Sequence, residues 1–250
     1  MKQYINLLIT FTWTDFKLKY IKTRIGLLWA ILKPLVLLGT IYTIFSIFLG
    51  FKMDHYPLIL LLGIILWNFF SESTLSSIDN LISKKEIIKR MPLPLSIIIL
   101  SACINTLITA IINLLIFSCI LIIAQIELSW LILLFPILLL LLFILSVGLS
   151  FILSALNIFF RDLRYIWEII LQLVFWATPV IYTLNLVPEK FLPYYLLNPL
   201  AQIINSARNL LLEQTLNLNS LLIILLTSLI FFLIGSGLLT KLRYKIIEHI

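Results

Sequence analysis

The chain has 250 residues, 62% of them hydrophobic and only 12% charged, with a formal net charge of +7 and a mean hydropathy of +1.15. Soluble domains average about 45–50% apolar and about 25% charged residues, so this composition excludes a water-soluble globule and makes lipid the solvent. The positive balance does not call for nucleic acid, because cations collect on the cytoplasmic loops of membrane proteins through the insertion rule.

In chain order, the opening MKQYINLLITFTWTDFKLKY is apolar, but Asp15, Lys17 and Lys19 interrupt it and no small-residue cleavage site follows. It does not read as a signal peptide, and the mature protein is expected to start at Met1. Asp15, Lys19 and Lys22 recur on one side of a helix, with Ile5, Leu8, Ile9 and Phe16 opposite and Tyr4, Trp13 and Tyr20 nearby. Residues 1–24 are therefore expected to form an N-terminal amphipathic helix lying in the cytoplasmic interface. A plain juxtamembrane anchor and a part in transport are both open for it.

Residues 25–250 are expected to form an all-α membrane domain. A spanning helix needs about 20 predominantly apolar residues. Residues 25–50, 56–78, 97–124, 130–160, 165–187 and 219–240 meet that test, giving six spans. Regular helices are the default, since lipid satisfies no open backbone. Of the 18 Lys and Arg, only Lys52, Lys190 and Arg208 fall outside if the N-terminus is inside. That bias places both termini in the cytoplasm.

Between the second and third spans runs ISKKEIIKRMPLPLS, from Ile82 to Ser96, with four cations, one carboxylate and two prolines. Ser83 is placed to cap a short helix ending near Arg90, and Pro92 stops it. Lys85 and Lys89 share one face, Ile87 and Met91 another. Such a helix suits docking into a partner's groove, and a positive-inside loop that is merely helical fits equally. Between the fifth and sixth spans, Pro188, Pro193 and Pro199 punctuate a run that carries no charge from Phe191 to Ala207. It is too short and broken to cross, and a re-entrant or interfacial outer hairpin is expected.

Polar residues at membrane depth should face protein or water. The third span carries Ser101, Asn105, Thr109 and Asn113 at successive steps of four, and the second carries Glu72, the one carboxylate clearly inside a span. The Ser, Thr and Asn side chains read first as helix–helix hydrogen bonds, with a lined polar route as the alternative, whereas Glu72 points to a special role. Gly235-Ser236-Gly237 is expected to let the last span pack closely. Cys103 and Cys119 read as small buried hydrophobes. No phosphate-cradling G-x-x-x-x-G-K-[ST], G-x-S-x-G or H-E-x-x-H occurs, and His55 and His249 lack metal or triad partners at useful spacing. No catalytic residue and no metal site is expected. An Arg161–Asp162 salt bridge is expected in the inner loop after the fourth span.

Five stretches carry a resemblance in order along nearly the whole chain: DFKLKYIKTRIGLLWAILKP (Asp15–Pro34); NFFSEST followed by IDNLISKKEIIKRMPLPLS; NIFFRDLRY (Asn157–Tyr165); ATPVIY and VPEKF; and LNPLAQIINSARNLLL. Together they resemble the membrane (permease) subunit of ABC transporters that export polysaccharide, the O-antigen, teichoic-acid and capsule exporter family. The resemblance implies a homodimer in the bacterial cytoplasmic membrane, paired with two copies of a P-loop ATPase that binds ATP and Mg. This chain would bind no cofactor and no nucleic acid, only membrane lipid and a lipid-linked glycan. Lys84, Lys85, Glu86, Ile87, Ile88, Lys89 and Arg90 would form the helix that docks on the ATPase. Phe69, Phe70, Phe175, Trp176 and Tyr182, with Glu72, Asn105 and Thr109, would line the channel. Tyr194, Tyr195, Asn198 and Arg208 would form the outer gate. An exporter of drugs, ions or small lipids on the same plan, and a membrane-embedded glycosyl- or acyltransferase, are the competing readings.

Overall fold

The computed structural model describes residues 2–20, 26–90, 93–127 and 129–249, and every regular element among them is helical. Chain order gives α1 (Lys2–Tyr20), α2 (Leu28–Tyr42) continuing as a π-helical turn (Thr43–Phe48), α3 (Tyr56–Ser83), α4 (Lys85–Arg90) and α5 (Leu95–Ile123). There follow a 3₁₀ turn (Trp130–Leu134), α6 (Phe135–Asn157), α7 (Leu163–Ala177), α8 (Leu192–Leu197), α9 (Pro199–Arg208), a second π turn (Asn209–Glu213) and α10 (Leu218–His249).

Five of these helical stretches are long and apolar enough to cross a membrane: Leu28–Phe48, Tyr56–Ser83, Leu95–Ile123, Trp130–Asn157 and Leu218–His249. They correspond to five of the six expected spans, and three run past their expected ends. α3 continues to Ser83 rather than stopping near residue 78, α5 starts at Leu95, and α10 runs on to His249. The expected fifth span, 165–187, is not one helix. α7 has 15 residues and stops where Thr178 turns extended (φ −107°, ψ 139°). Pro179 is the cause, since a residue before proline is pushed out of the helical region. At about 1.5 Å per residue α7 reaches about 22 Å, short of the roughly 30 Å hydrocarbon layer.

α3 is the axle of the bundle. It packs on α2, α5, α6, α7 and α9, and its side chains from Leu58 to Trp67 are almost all buried. Its hydrogen bonds to α6 are made by hydroxyls and one amide: Ser77 Oγ donates to Ser150 Oγ at 3.0 Å, Ser154 Oγ to the Ser77 carbonyl at 2.8 Å, and Asn157 Nδ2 to the Ile78 carbonyl at 3.1 Å. Ser101, Asn105, Thr106 and Thr109 on α5 are likewise turned into protein, each under a tenth exposed. Hydrocarbon offers no partners: Ser101 and Thr109 bond Asp15 and Tyr20 on α1, while Thr106 donates to carbonyls of its own helix.

α6 and α10 make the most extensive helix pair. A Cβ on Gly235 would overlap the carbonyl oxygen of Gly148, whereas Gly237 faces open space. Only the first glycine of the Gly-Ser-Gly cluster is therefore a packing glycine. Gly235→Ala is expected to push the helices apart at a cost of about 1–3 kcal/mol, read as a lower melting temperature in detergent. Gly237→Ala should leave the melt unchanged. Equal melts for the two variants would refute the assignment.

α1 lies mainly along α5. Its polar stripe turns toward protein, although Lys19 keeps 40% of its side chain exposed. Asp15 Oδ2 accepts from Lys84 Nζ at 2.6 Å and from Ser101 Oγ at 3.4 Å, and Lys19 pairs with Glu72, while Tyr4, Ile5, Ile9 and Trp13 are exposed. Lys22, third in the expected stripe, lies outside the described residues. So do Met91 and Pro92, expected to end the short helix.

Candidate functional site

The short helix expected from Ser83 to Arg90 begins one residue later than anticipated. Ser83 does not cap it, because its hydroxyl donates back to the Asn80 carbonyl at 3.1 Å. Lys84 is the break itself, with φ −103° and ψ 17°, so it belongs to the joint between α3 and α4 rather than to α4. Its ammonium is held by Asp15 and sits 4.9 Å from the Phe11 ring centre. Ile88 is buried with Leu81, Leu95 and Ile98, anchoring α4 to the bundle. Lys85, Glu86, Ile87, Lys89 and Arg90 are exposed, leaving an open face of cations around one isoleucine.

The expected Arg161–Asp162 pair does not form. Both residues are exposed and neither has an ion pair among the described residues. Arg164 takes that place, pairing with Asp79 at the far end of α3 and with Glu168 one turn along α7.

The expected channel residues separate into three places. Phe175 and Trp176 on α7 line a groove against α3, about 430 Å³ in volume, together with Trp67, Ser71, Glu168 and Gln172. Its rings meet edge-on, Trp67 to Phe175 at 5.4 Å and Phe175 to Trp176 at 5.5 Å between centroids, and Trp176 is 62% exposed. Phe69 and Phe70 lie in the bundle core, each 3% exposed, with Phe69 stacked on Phe143. Glu72 and Thr109 lie across α3 from the groove, lining a separate polar pocket among α1, α2, α3 and α5. Asn105 is buried beside it, and its Oδ1 has no hydrogen-bond partner among the described residues. Trp67 was not among the expected channel residues; a tryptophan eleven residues into α3, at the end of an apolar run, carries no mark of which face it takes.

The hairpin residues form one connected structure. Tyr182 donates to the Trp176 carbonyl at 2.9 Å and meets the Tyr195 hydroxyl at 2.9 Å, joining the aromatic groove to α8. Asn198 caps α9 by accepting from Leu200 N at 3.0 Å and donates to Thr178 Oγ1 at 2.9 Å. Tyr194 is 70% exposed. Arg208 is 4% exposed. Its guanidinium donates to the carbonyls of Ile59, Pro179, Val180 and Tyr182 at 2.6–3.2 Å. All five N–H groups are thereby used, with no carboxylate among their acceptors. Gly63 makes room for this knot, since a Cβ there would sit 2.6 Å from the guanidinium and 2.7 Å from the Val180 oxygen.

Among the described residues this arrangement has no cluster of acid, base and nucleophile. It consists of a short helix with an open cationic face, an aromatic groove, and a pinned break in the helix beside that groove. The ABC-2 type transporter model matches residues 6–212. The chain belongs to the ABC-2 type transporter membrane family. Across its length it is similar to two O-antigen export system permease proteins RfbA of Klebsiella pneumoniae, at 31% and 32% identity, each alignment covering 97% of this chain and 94% of the relative. It is also similar to the polysialic acid transport protein KpsM of Escherichia coli, at 26% identity over 78% of this chain and 76% of the relative.

Proposed function

We propose that this chain is the permease subunit of an ATP-driven exporter that moves a lipid-linked polysaccharide across the bacterial cytoplasmic membrane, with both termini on the cytoplasmic side. The carrying observation is the end-to-end similarity to O-antigen permeases, extended at lower identity to a polysialic acid transport protein. The chain carries no nucleotide-binding sequence, and α4 offers an exposed charged face at one end of the spanning bundle. Two copies of a P-loop ATPase, holding ATP and Mg, dock on α4 of a homodimer of this chain. Movement of α4 reaches α3 directly across Lys84 and reaches α1 through the Lys84–Asp15 pair.

The α3–α7 groove is where the glycan passes. Sugars present C–H faces that lie on aromatic rings, and the groove adds Ser71, Glu168 and Gln172 for hydroxyl groups. The π turns and the Arg208 knot lie at the opposite end of α3 from α4, where the hairpin with Tyr194, Tyr195 and Asn198 acts as the outer gate. Trp176→Ala removes the most exposed ring of the groove and is expected to slow export about tenfold while the protein still inserts and recruits its ATPase. The check is surface polysaccharide measured in cells, against permease abundance in membranes. Full export by the alanine variant would remove the groove from the route.

A further inference from the structure

The pocket across α3 from the groove has a chemistry that passage of a neutral sugar does not use. Glu72 accepts from two ammonium groups, Lys19 Nζ at 3.0 Å on Oε2 and Lys33 Nζ at 2.7 Å on Oε1. Three helices, α1, α2 and α3, are joined at this one carboxylate. Among the described residues, two cations against one anion leave a net charge of +1 beside a cavity of about 250 Å³. Lys33 uses one of its three N–H groups on Glu72 and stays 65% exposed, and the Asn68 amide lines the same cavity without a hydrogen bond among the described residues. The remaining wall is apolar: Trp29, Pro34, Ile65 and Phe69.

Depth places this cavity near a bilayer surface. α3 has 28 residues, about 42 Å of helix against about 30 Å of hydrocarbon. Counted from Tyr56, the hydrocarbon boundary falls near residue 76, which puts Glu72 about 6 Å inside it. Lys33 is five residues into α2, about 7.5 Å from the start of that helix at Leu28. Lysine stems at this depth reach toward the headgroups. Ionisable side chains within spans are costly and mark ligand contacts or ion routes.

We infer that this pocket binds the phosphate of a phosphate-headed amphiphile on the α4 side of the membrane. Lys19 and Lys33 hold the phosphate oxygens, Asn68 donates a further hydrogen bond, and the first carbons of the tail lie on Trp29 and Pro34. Glu72 holds the two lysines in place and competes with the ligand for them. A monoanionic phosphate brings the cluster to zero net charge. The inference does not depend on the export reading, because any phosphate lipid in that leaflet presents this chemistry.

The competition gives variants of opposite sign. The full-length chain, purified in a neutral detergent, is titrated with short-chain phosphatidic acid and, as control, phosphatidylcholine of the same chains, with bound lipid counted by native mass spectrometry. Phosphatidic acid should bind with a stoichiometry of one and more tightly than the control. Lys33→Gln should weaken it about fivefold, and Glu72→Gln, which frees both lysines while keeping the shape, should tighten it about fivefold. Thermal melting of each variant establishes that it is folded. A purely structural ion pair predicts no preference for phosphatidic acid, or weakening in both variants, and either result overturns the inference. Inorganic phosphate that competes at the same concentration as phosphatidic acid overturns the amphiphile and leaves a bare anion site. Displacement of phosphatidic acid by a polyprenyl phosphate would support the inference with a carrier lipid as the source, and resistance to displacement would support it with a membrane phospholipid.

Discussion

Arg208→Ala is expected to destabilise the protein by on the order of 4 kcal/mol, because it strips the donors from buried carbonyls. The guanidinium binds the carbonyls of Pro179, Val180 and Tyr182, which the break after α7 leaves without helical donors, and ties them to Ile59 on α3. At 4% exposure, little water is at hand to replace it. A buried cation with no counter-charge is normally prohibitive, and here it persists because every N–H meets a carbonyl. Lys has three N–H groups that cannot span this fork, so Arg208→Lys should recover only part of the loss. The measurement is thermal melting in detergent with limited proteolysis between residues 183 and 218. A wild-type melt and an uncut hairpin in the alanine variant would refute this account.

Ile87→Asp is the second large effect. Ile87 is the one apolar side chain on the open face of α4, ringed by Lys85, Glu86, Lys89 and Arg90. Its neighbour Ile88 is the buried anchor, so the aspartate alters the proposed docking face and leaves the bundle alone. Interface positions of this kind cost about 2 kcal/mol or more when ruined, about thirtyfold in affinity. Export should fall by that order while the chain remains in the membrane at normal abundance, and ATP hydrolysis should no longer respond to the permease. Glu86→Lys, which reverses the one acid on that face, should act in the same direction. Normal export in both variants would exclude α4 as the contact.

The long apolar helices were legible because their signal is a sum over twenty or more residues, which no single side chain can spoil. The broken fifth span was not, although Thr178-Pro179 contained the reason. Twenty-three mostly apolar residues read as one crossing, and nothing local says that the chain turns back and pins itself to α3. The polar stripe of α1 is legible as a stripe, but the partners of its side chains are not. Periodicity reports that Asp15 and Lys19 share a face, but their partners Lys84 and Glu72 lie more than fifty residues away. Glu72 stood out by depth alone, whereas its second lysine, Lys33, looked like a residue of the first inner segment. The aromatic candidates were chosen by type and depth. That choice cannot separate Phe69 and Phe70, turned into the core, from Trp176, turned out of it, because an apolar helix surrounded by apolar helices has no periodic contrast between its faces.

The proposed function requires that energy enter this chain by mechanical contact at α4, from a nucleotide-hydrolysing partner. The direct measurement is export of a lipid-linked polysaccharide in proteoliposomes containing this permease alone, or the permease with its P-loop ATPase, each with and without ATP. Transfer is expected only when partner and ATP are both present, and should be lost with Ile87→Asp. Transfer or ATP turnover by the permease alone would contradict it.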